Sequence, residues 1–323
     1  MAGEKKEKRF FKSIKSGKSL QKYAIIIVLL IMCIFLSIAN PYFLTLTNII
    51  NVLRQISVIA IIAVGVSYVI IAGDIDLSPG SAMALGGVLV AWFSRAGVPS
   101  WISMIITMVI GALFGYLIGV IIVKLKINAF ITTLAMLNIL RGIALIITGG
   151  APITFRTPAS YLGGGYIGII PFSVVLMFVI AILGQIFISK TTYGKNIYAV
   201  GNSVVSSRMA GIKVNLVKYS VHAMATCLCF FAGIVTAGKL LTADPSVGVL
   251  MELDAIAAAV IGGVSLRGGR GSVITVLIGA AIMGVMRNGF VLLGVSAYMQ
   301  TVAIGLIVLI AVGIDNIGKK SEI

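Results

Sequence analysis

The sequence predicts an all-α integral membrane protein with about ten transmembrane helices, and three observations carry that expectation. The chain is 59% hydrophobic and only 11% charged, where a soluble domain carries about 25% charged residues. Its basic residues cluster at alternate turns of the chain. A short pattern recurs at an odd number of spans, as in many transporters. There is too little polar surface to cover a water-soluble globule, so lipid must be the main solvent. Three regions follow: a basic tail over 1–22, a membrane domain over 23–316, and a short tail over 317–323.

Apolar runs place the spans at 23–39, 50–71, 81–95, 100–123, 129–147, 169–189, 218–241, 252–266, 272–294 and 298–314. A spanning helix needs roughly 20 apolar residues. The segments 81–95 and 252–266 fall short and read as broken or partly inserted helices. The first run is longer than a signal-peptide core and no small-x-small site follows it, so it reads as a retained span.

Lys and Arg concentrate in cytoplasmic loops. With the N-terminus inside, the inner segments hold the eight of the tail (Lys5, Lys6, Lys8, Arg9, Lys12, Lys15, Lys18, Lys22), Lys124 and Lys126, and Lys190, Lys195, Arg208, Lys213 and Lys218. They also hold Arg267, Arg270, Lys319 and Lys320. The outer segments hold only Arg95, Arg156 and Lys239, while Arg54, Arg141 and Arg287 fall within spans. Both termini are therefore expected in the cytoplasm. The net charge of +16 sets orientation and attracts anionic lipid. It lacks the aromatic-laced basic face of a nucleic-acid binder.

The segment Lys190–Val217 is long, basic and free of acids. It belongs in water on the cytoplasmic side. Within it Asn202, Ser203, Ser206, Ser207, Arg208 and Gly211 suit a short helix on which a soluble partner docks.

Asp76-Leu77 precedes Gly86-Gly87, and Glu252-Leu253 precedes Gly262-Gly263 with the same spacing, an offset of 176 residues. The offset maps span 2 onto span 7, so the two halves run in opposite directions, as in inverted-repeat transporters. Gly111, Gly115 and Gly119 repeat at the four-residue spacing that lets helices approach closely in lipid.

Gly73–Ser81 interrupts the apolar text with Asp74, Asp76, Ser78 and Pro79. Acids at membrane depth mark pathways, which would make this a gate. A capped helix break, with Asp76 or Ser78 as the cap, is the simpler reading. Glu252 and Asp254 form the matching break in the second half, where acids suit a helix start. Arg141 and Arg287 lie inside spans and need a partner, with Asp74, Asp76, Glu252 and Asp254 as candidates. Asn138 and Asn288, beside them, are candidates for facing a polar solute.

No catalytic or cofactor site is expected. His222 is the only histidine and reads as an interfacial residue at a helix entry. Cys33, Cys227 and Cys229 read as small buried hydrophobes. Gly17-Lys18-Ser19 lacks the strand and the first glycine of a phosphate loop, and Arg267–Gly271 reads as a tight turn. An ion-coupled transporter would want a titratable residue at mid-span. An intramembrane enzyme would want paired acids or a histidine–metal cluster in one cavity.

The stretches Gly73–Ser81 (GDIDLSPGS), Phe130–Leu137 (FITTLAML), Tyr193–Ile212 (YGKNIYAVGNSVVSSRMAGI), Glu252–Gly271 (ELDAIAAAVIGGVSLRGGRG) and Asn288–Gln300 (NGFVLLGVSAYMQ) resemble the membrane permeases of bacterial ATP-binding-cassette (ABC) sugar importers. The ribose/xylose/galactoside group is nearest, and within it the ribose permeases. Asp74 departs from the pattern, which more often has glycine there. The resemblance implies an inverted-repeat permease bundle in the bacterial plasma membrane, driven by a separate cytoplasmic ATPase. It implies a second copy of the chain, an extracytoplasmic sugar-binding protein, and a monosaccharide cargo such as ribose. It also implies that Asn202–Gly211 is the coupling helix that rests on the ATPase.

Overall fold

The computed structural model describes the backbone of residues 17–317 and the side chains of residues 24–310 and Gly313. Most of the basic tail over 1–22 and nearly all of the tail over 317–323 lie outside the described residues.

Helices occupy all ten of the apolar segments. They are α1 (Gly17–Ala39), α2 (Leu46–Ile71), α3 (Pro79–Arg95), α4 (Ser100–Lys124) and α5 (Ala129–Thr148), then α7 (Phe172–Lys190), α10 (Val214–Leu240), α11 (Met251–Ile261), α12 (Val273–Leu292) and α13 (Ala297–Ile317). Among the described residues, α2, α4, α5, α7, α10 and α12 are long and apolar enough to cross a membrane. Helices rising 1.5 Å per residue need about 20 residues to cross a core about 30 Å thick. The 11 residues of α11 reach only about half-way.

Local chemistry sets the boundaries. The Thr45 side chain accepts from Asn48 N at the start of α2, and Asn128 accepts from Phe130 N at the start of α5. Gly149 ends α5 in the left-handed region with φ 62°, where glycine carries no Cβ penalty. Gln185 Oε1 of α7 accepts from Ser272 Oγ at 3.1 Å and Ile274 N at 3.3 Å, and so caps α12 from outside its own sequence.

The segment between α5 and α7 holds short strands and a helical turn. Strand β1 (Ile153–Thr154) pairs antiparallel with β4 (Thr242–Ala243), and β2 (Tyr166–Ile167) forms a hairpin with β3 (Ile170–Pro171). A helical turn, α6 (Tyr161–Gly164), lies between them. The hairpin sits at one end of α7, and α8 (Thr192–Asn202) and α9 (Val204–Met209) sit at the other.

The core is built around two central helices. α2 is buried without interruption from Ile56 to Ile71. α10 packs on α3 and α4, while α2 packs on α11 and α12. Each central helix thus clasps the short helix of the other half and the helix after it. α4, α5 and α7 turn large apolar side chains outward, among them Leu113, Ile146, Ile182 and Leu183, as a bilayer-facing surface requires.

The glycine stripe of α4 serves close approach, as its spacing predicts. A Cβ on Gly115 would lie 2.2 Å from the His222 carbonyl oxygen of α10. Gly115→Leu should therefore separate α4 from α10 and destabilise the protein by at least the ~1–3 kcal/mol typical of overpacking. Gly142, with nothing within 4 Å of its Cβ position, should accept alanine without loss. Thermal unfolding of both variants in detergent checks this.

Candidate functional site

The basic segment after α7 folds as an elbow. Thr191 caps α8 by accepting from Gly194 N at 2.9 Å. Ser203 caps α9 by accepting from Ser206 N at 3.2 Å. The short helix anticipated around Arg208 is present. Ser207 turns inward and is buried, whereas Asn202, Arg208 and Gly211 are exposed. At the tip, Val205 is 69% and Met209 85% exposed. A cleft of about 420 Å³ opens beside it, lined by Arg208, Ile212, Lys213, Val214, Asn215 and Leu216.

The segment is not simply solvated, as its composition implied. Ile197 and Val200 of α8 are fully buried. Tyr198 donates its hydroxyl to Gly271 O at 2.8 Å, and the Tyr193 hydroxyl meets Ser220 Oγ of α10 at 2.5 Å. Burial raises the Tyr198 phenol above its ordinary range. Gly201 lies against the end of α2, where an added Cβ would fall 1.8 Å from Ile71 O. Gly269 N donates to the same carbonyl at 2.8 Å. The Arg267–Gly271 turn forms as expected, with positive φ at Gly268 and Gly269. The elbow is thus bolted to the end of α2, the start of α10 and the α11–α12 turn.

The first acidic break lies just inside this end. Asp74 is buried. Its Oδ1 lies 2.8 Å from Lys218 Nζ, and its Oδ2 lies 3.2 Å from His222 Nε2. Lys218 also donates to Ala72 O at 2.8 Å. Burial pushes the Asp74 carboxyl up, but the His222 hydrogen bond and the charge of Lys218 outweigh it and hold it below its ordinary range. This corrects two expectations. His222 is not interfacial but 0% exposed, and Lys218 is not a loop cation, because α10 begins at Val214 and carries both residues inward.

Asp76 is buried, and its Oδ1 accepts from Ser78 N at 2.8 Å and Ser78 Oγ at 2.7 Å. Ser78 occupies the cap position of α3 without a side-chain capping bond, and Pro79 follows as the first helical residue. The break is therefore held by Asp76 folding back on Ser78 rather than by a serine cap. Asp76 Oδ2 has no hydrogen-bond partner among the described residues.

The second break meets the first. A Cβ on Gly80 would lie 2.1 Å from Gly248 O and 2.5 Å from Glu252 Oε2, so the starts of α3 and α11 abut. Arg141 of α5 donates Nη1 to Pro245 O and, at 2.7 Å, to Val247 O. Its partners are backbone carbonyls of the turn before α11 rather than an acid. Arg287 does take an acid. Its Nη2 lies 2.6 Å from Asp254 Oδ2, and the Asp254 side chain is 0% exposed. Asn288 is buried and exchanges amide hydrogen bonds with Asn48, at 2.7 and 3.1 Å. Asn138 is exposed on α5 and donates to Leu134 O of its own helix. The Asn48 partnership was missed in the sequence, where nothing links positions 240 residues apart.

The sequence matches known proteins. The model of the branched-chain amino acid transport system permease component matches residues 48–312. The chain belongs to this permease family. It is 40% identical over 310 residues to the ribose import permease protein of Haemophilus influenzae, covering 94% of this chain and 96% of the relative. The ribose import permease protein of Bacillus subtilis is 40% identical over 305 residues, 94% of each chain. The galactose/methyl galactoside import permease protein of Escherichia coli is 33% identical over 331 residues, 96% of this chain and 97% of the relative. No solved structure matches the chain. The protein is a multi-pass membrane transport subunit, not an enzyme.

Removing one partner of a buried ion pair leaves an uncompensated charge. Arg287→Ala should cost about 3–5 kcal/mol, and the double variant Asp254→Asn with Arg287→Met should recover most of it. Chemical unfolding in detergent reads both.

Proposed function

We propose that this chain is the permease subunit of a bacterial ABC importer for a monosaccharide, with ribose as the cargo. The ribose permeases at 40% identity stand above the galactoside permease at 33%, which favours ribose. Two copies of the chain enclose one pathway, two ATPase subunits lie on the cytoplasmic side, and a sugar-binding protein delivers from outside. The positive-inside rule puts the elbow, with Lys190, Lys195, Arg208 and Lys213, in the cytoplasm along with both termini.

In this reading the bundle has ten membrane-embedded helices in two inverted halves. The reciprocal clasp of α2 on α11 and α12, and of α10 on α3 and α4, supports the repeat. So does the meeting of the two acidic breaks. The gate is where α3 and α11 abut, with Asp74, Asp76, Ser78, Pro79, Glu252 and Asp254 around it. Asn138, Arg141, Arg287 and Asn288 are the pathway candidates. Of these, Arg141 is only half-buried and Asn138 is exposed, so a second copy would cover Asn138. Tight sugar binding is not required of the permease, because the delivery protein can supply selectivity. ATP-driven closure of the ATPase pair moves the elbow, tilts the bundle and alternates access.

The observation that carries this reading is the exposed apolar tip of α9. Val205 and Met209 are exposed on a helix with two serines, and exposed apolar residues grouped this way mark a partner surface. Arg208 and Gly211 flank it. Arg208→Ala, Met209→Asp or a bulky residue at Gly211 should leave membrane insertion intact. ATP-driven ribose uptake should fall by about tenfold or more, as expected of an interface hot spot. Uptake in proteoliposomes containing the permease, the ATPase and the binding protein measures this, and unchanged uptake would remove the coupling assignment.

A further inference from the structure

The connector between α2 and α3, residues 72–78, is neither helix nor strand. The backbone N–H groups of Ala72, Gly73 and Asp74 bond back to Tyr68 O, Ile70 O and Val69 O at the end of α2, and side chains from other elements fix the connector from outside. Lys218 and His222 stand four residues apart on one face of α10 and use both carboxylate oxygens of Asp74. Lys218 also holds Ala72 O, and Thr133 of α5 donates to Ile75 O at 3.3 Å. Two residues beyond Asp74, Asp76 holds Ser78, and α3 begins. At the other side of the clamp, α10 starts five residues after Met209 at the α9 tip, with Val214 N donating to Ile212 O at 2.8 Å. The α4 glycines grip α10 at the same level, against Tyr219 and the His222 carbonyl. The first three turns of α10 are therefore fixed to the elbow on one side and to the broken helix on the other.

A buried ion pair is a weak source of stability compared with apolar packing of the same volume. What it supplies is a defined attachment point between two elements. We propose that the Asp74–Lys218–His222 clamp is the transmission joint of this permease: displacement of the elbow reaches α3, and through it the α3–α11 gate, by way of Asp74. Asp74 is thus a positioning residue for transport, acting through α3 rather than on the sugar. The proposal rests on the reading of the elbow as the ATPase-coupled element.

The test uses the complete transporter in proteoliposomes, with ribose uptake and ATP hydrolysis measured in the same vesicles. Asp74→Asn and Lys218→Met should lower the ribose moved per ATP hydrolysed by at least about fivefold, the lower end of typical coupling energies, while hydrolysis continues. The double variant, Asp74→Asn with Lys218→Met, removes the acid together with its lysine and should regain thermal stability but not the transport ratio. A double variant that regains both would show a static brace and overturn the proposal, as would a single variant with an unchanged ratio. Should the single variants fail to fold, the double variant decides. Met209→Asp run in parallel separates the two readings. If it uncouples while the clamp variants do not, the joint alone fails. If it leaves coupling intact, the elbow reading fails and the joint with it.

Discussion

Every polar group that a broken helix exposes inside a bilayer must find its partner within the protein. This structure breaks two helices, and much of its architecture follows from closing those breaks. Asp76 folds onto Ser78 ahead of α3. Arg141 reaches from α5 to two carbonyls ahead of α11, and Arg287 neutralises Asp254 inside it. The gap between the helix starts is closed by glycine on both sides, Gly80 against Gly248. Asp76, Arg141, Arg287 and Asp254, which looked out of place in an apolar sequence, are all part of these closures.

The helices themselves were legible. Apolar length marked all ten segments, and the α4 glycine spacing correctly announced a close helix contact. The two short segments were recognised as incomplete, and α11 is indeed an 11-residue piece. These features are local, so sequence carries them directly. Long-range partners were not legible. Asn48 with Asn288, Gln185 with the start of α12, and Asp74 with His222 join residues from separate helices. A single sequence has no signal for which polar groups face each other across a bundle. His222 was misplaced for a related reason. Hydropathy set the start of α10 at 218, but the helix starts at Val214, and the extra turn carries Lys218 and His222 inward. The elbow was read as a solvated loop because its basic residues dominate its composition, while Ile197 and Val200 bury the other face of α8.

The division of the elbow fits the proposed coupling to an external ATPase. One surface, through Tyr193, Tyr198 and Gly201, is fixed to three separate parts of the bundle. The other, through Val205, Arg208 and Met209, is open. A force applied to the open surface would be delivered to α2, α10 and the α11–α12 turn together, because packed interiors transmit displacement with little compression. The contact between the starts of α3 and α11, proposed above as the gate, lies only a few residues beyond those attachment points.

The side of the membrane on which the α9 tip lies is the most direct test of this account. In a variant carrying Met209→Cys, with Cys33, Cys227 and Cys229 replaced, a membrane-impermeant maleimide should label the protein in inside-out vesicles and not in intact cells. Assembly with the ATPase should protect the site. Labelling of Met209→Cys from outside intact cells would contradict the proposed orientation and the elbow's role in receiving work.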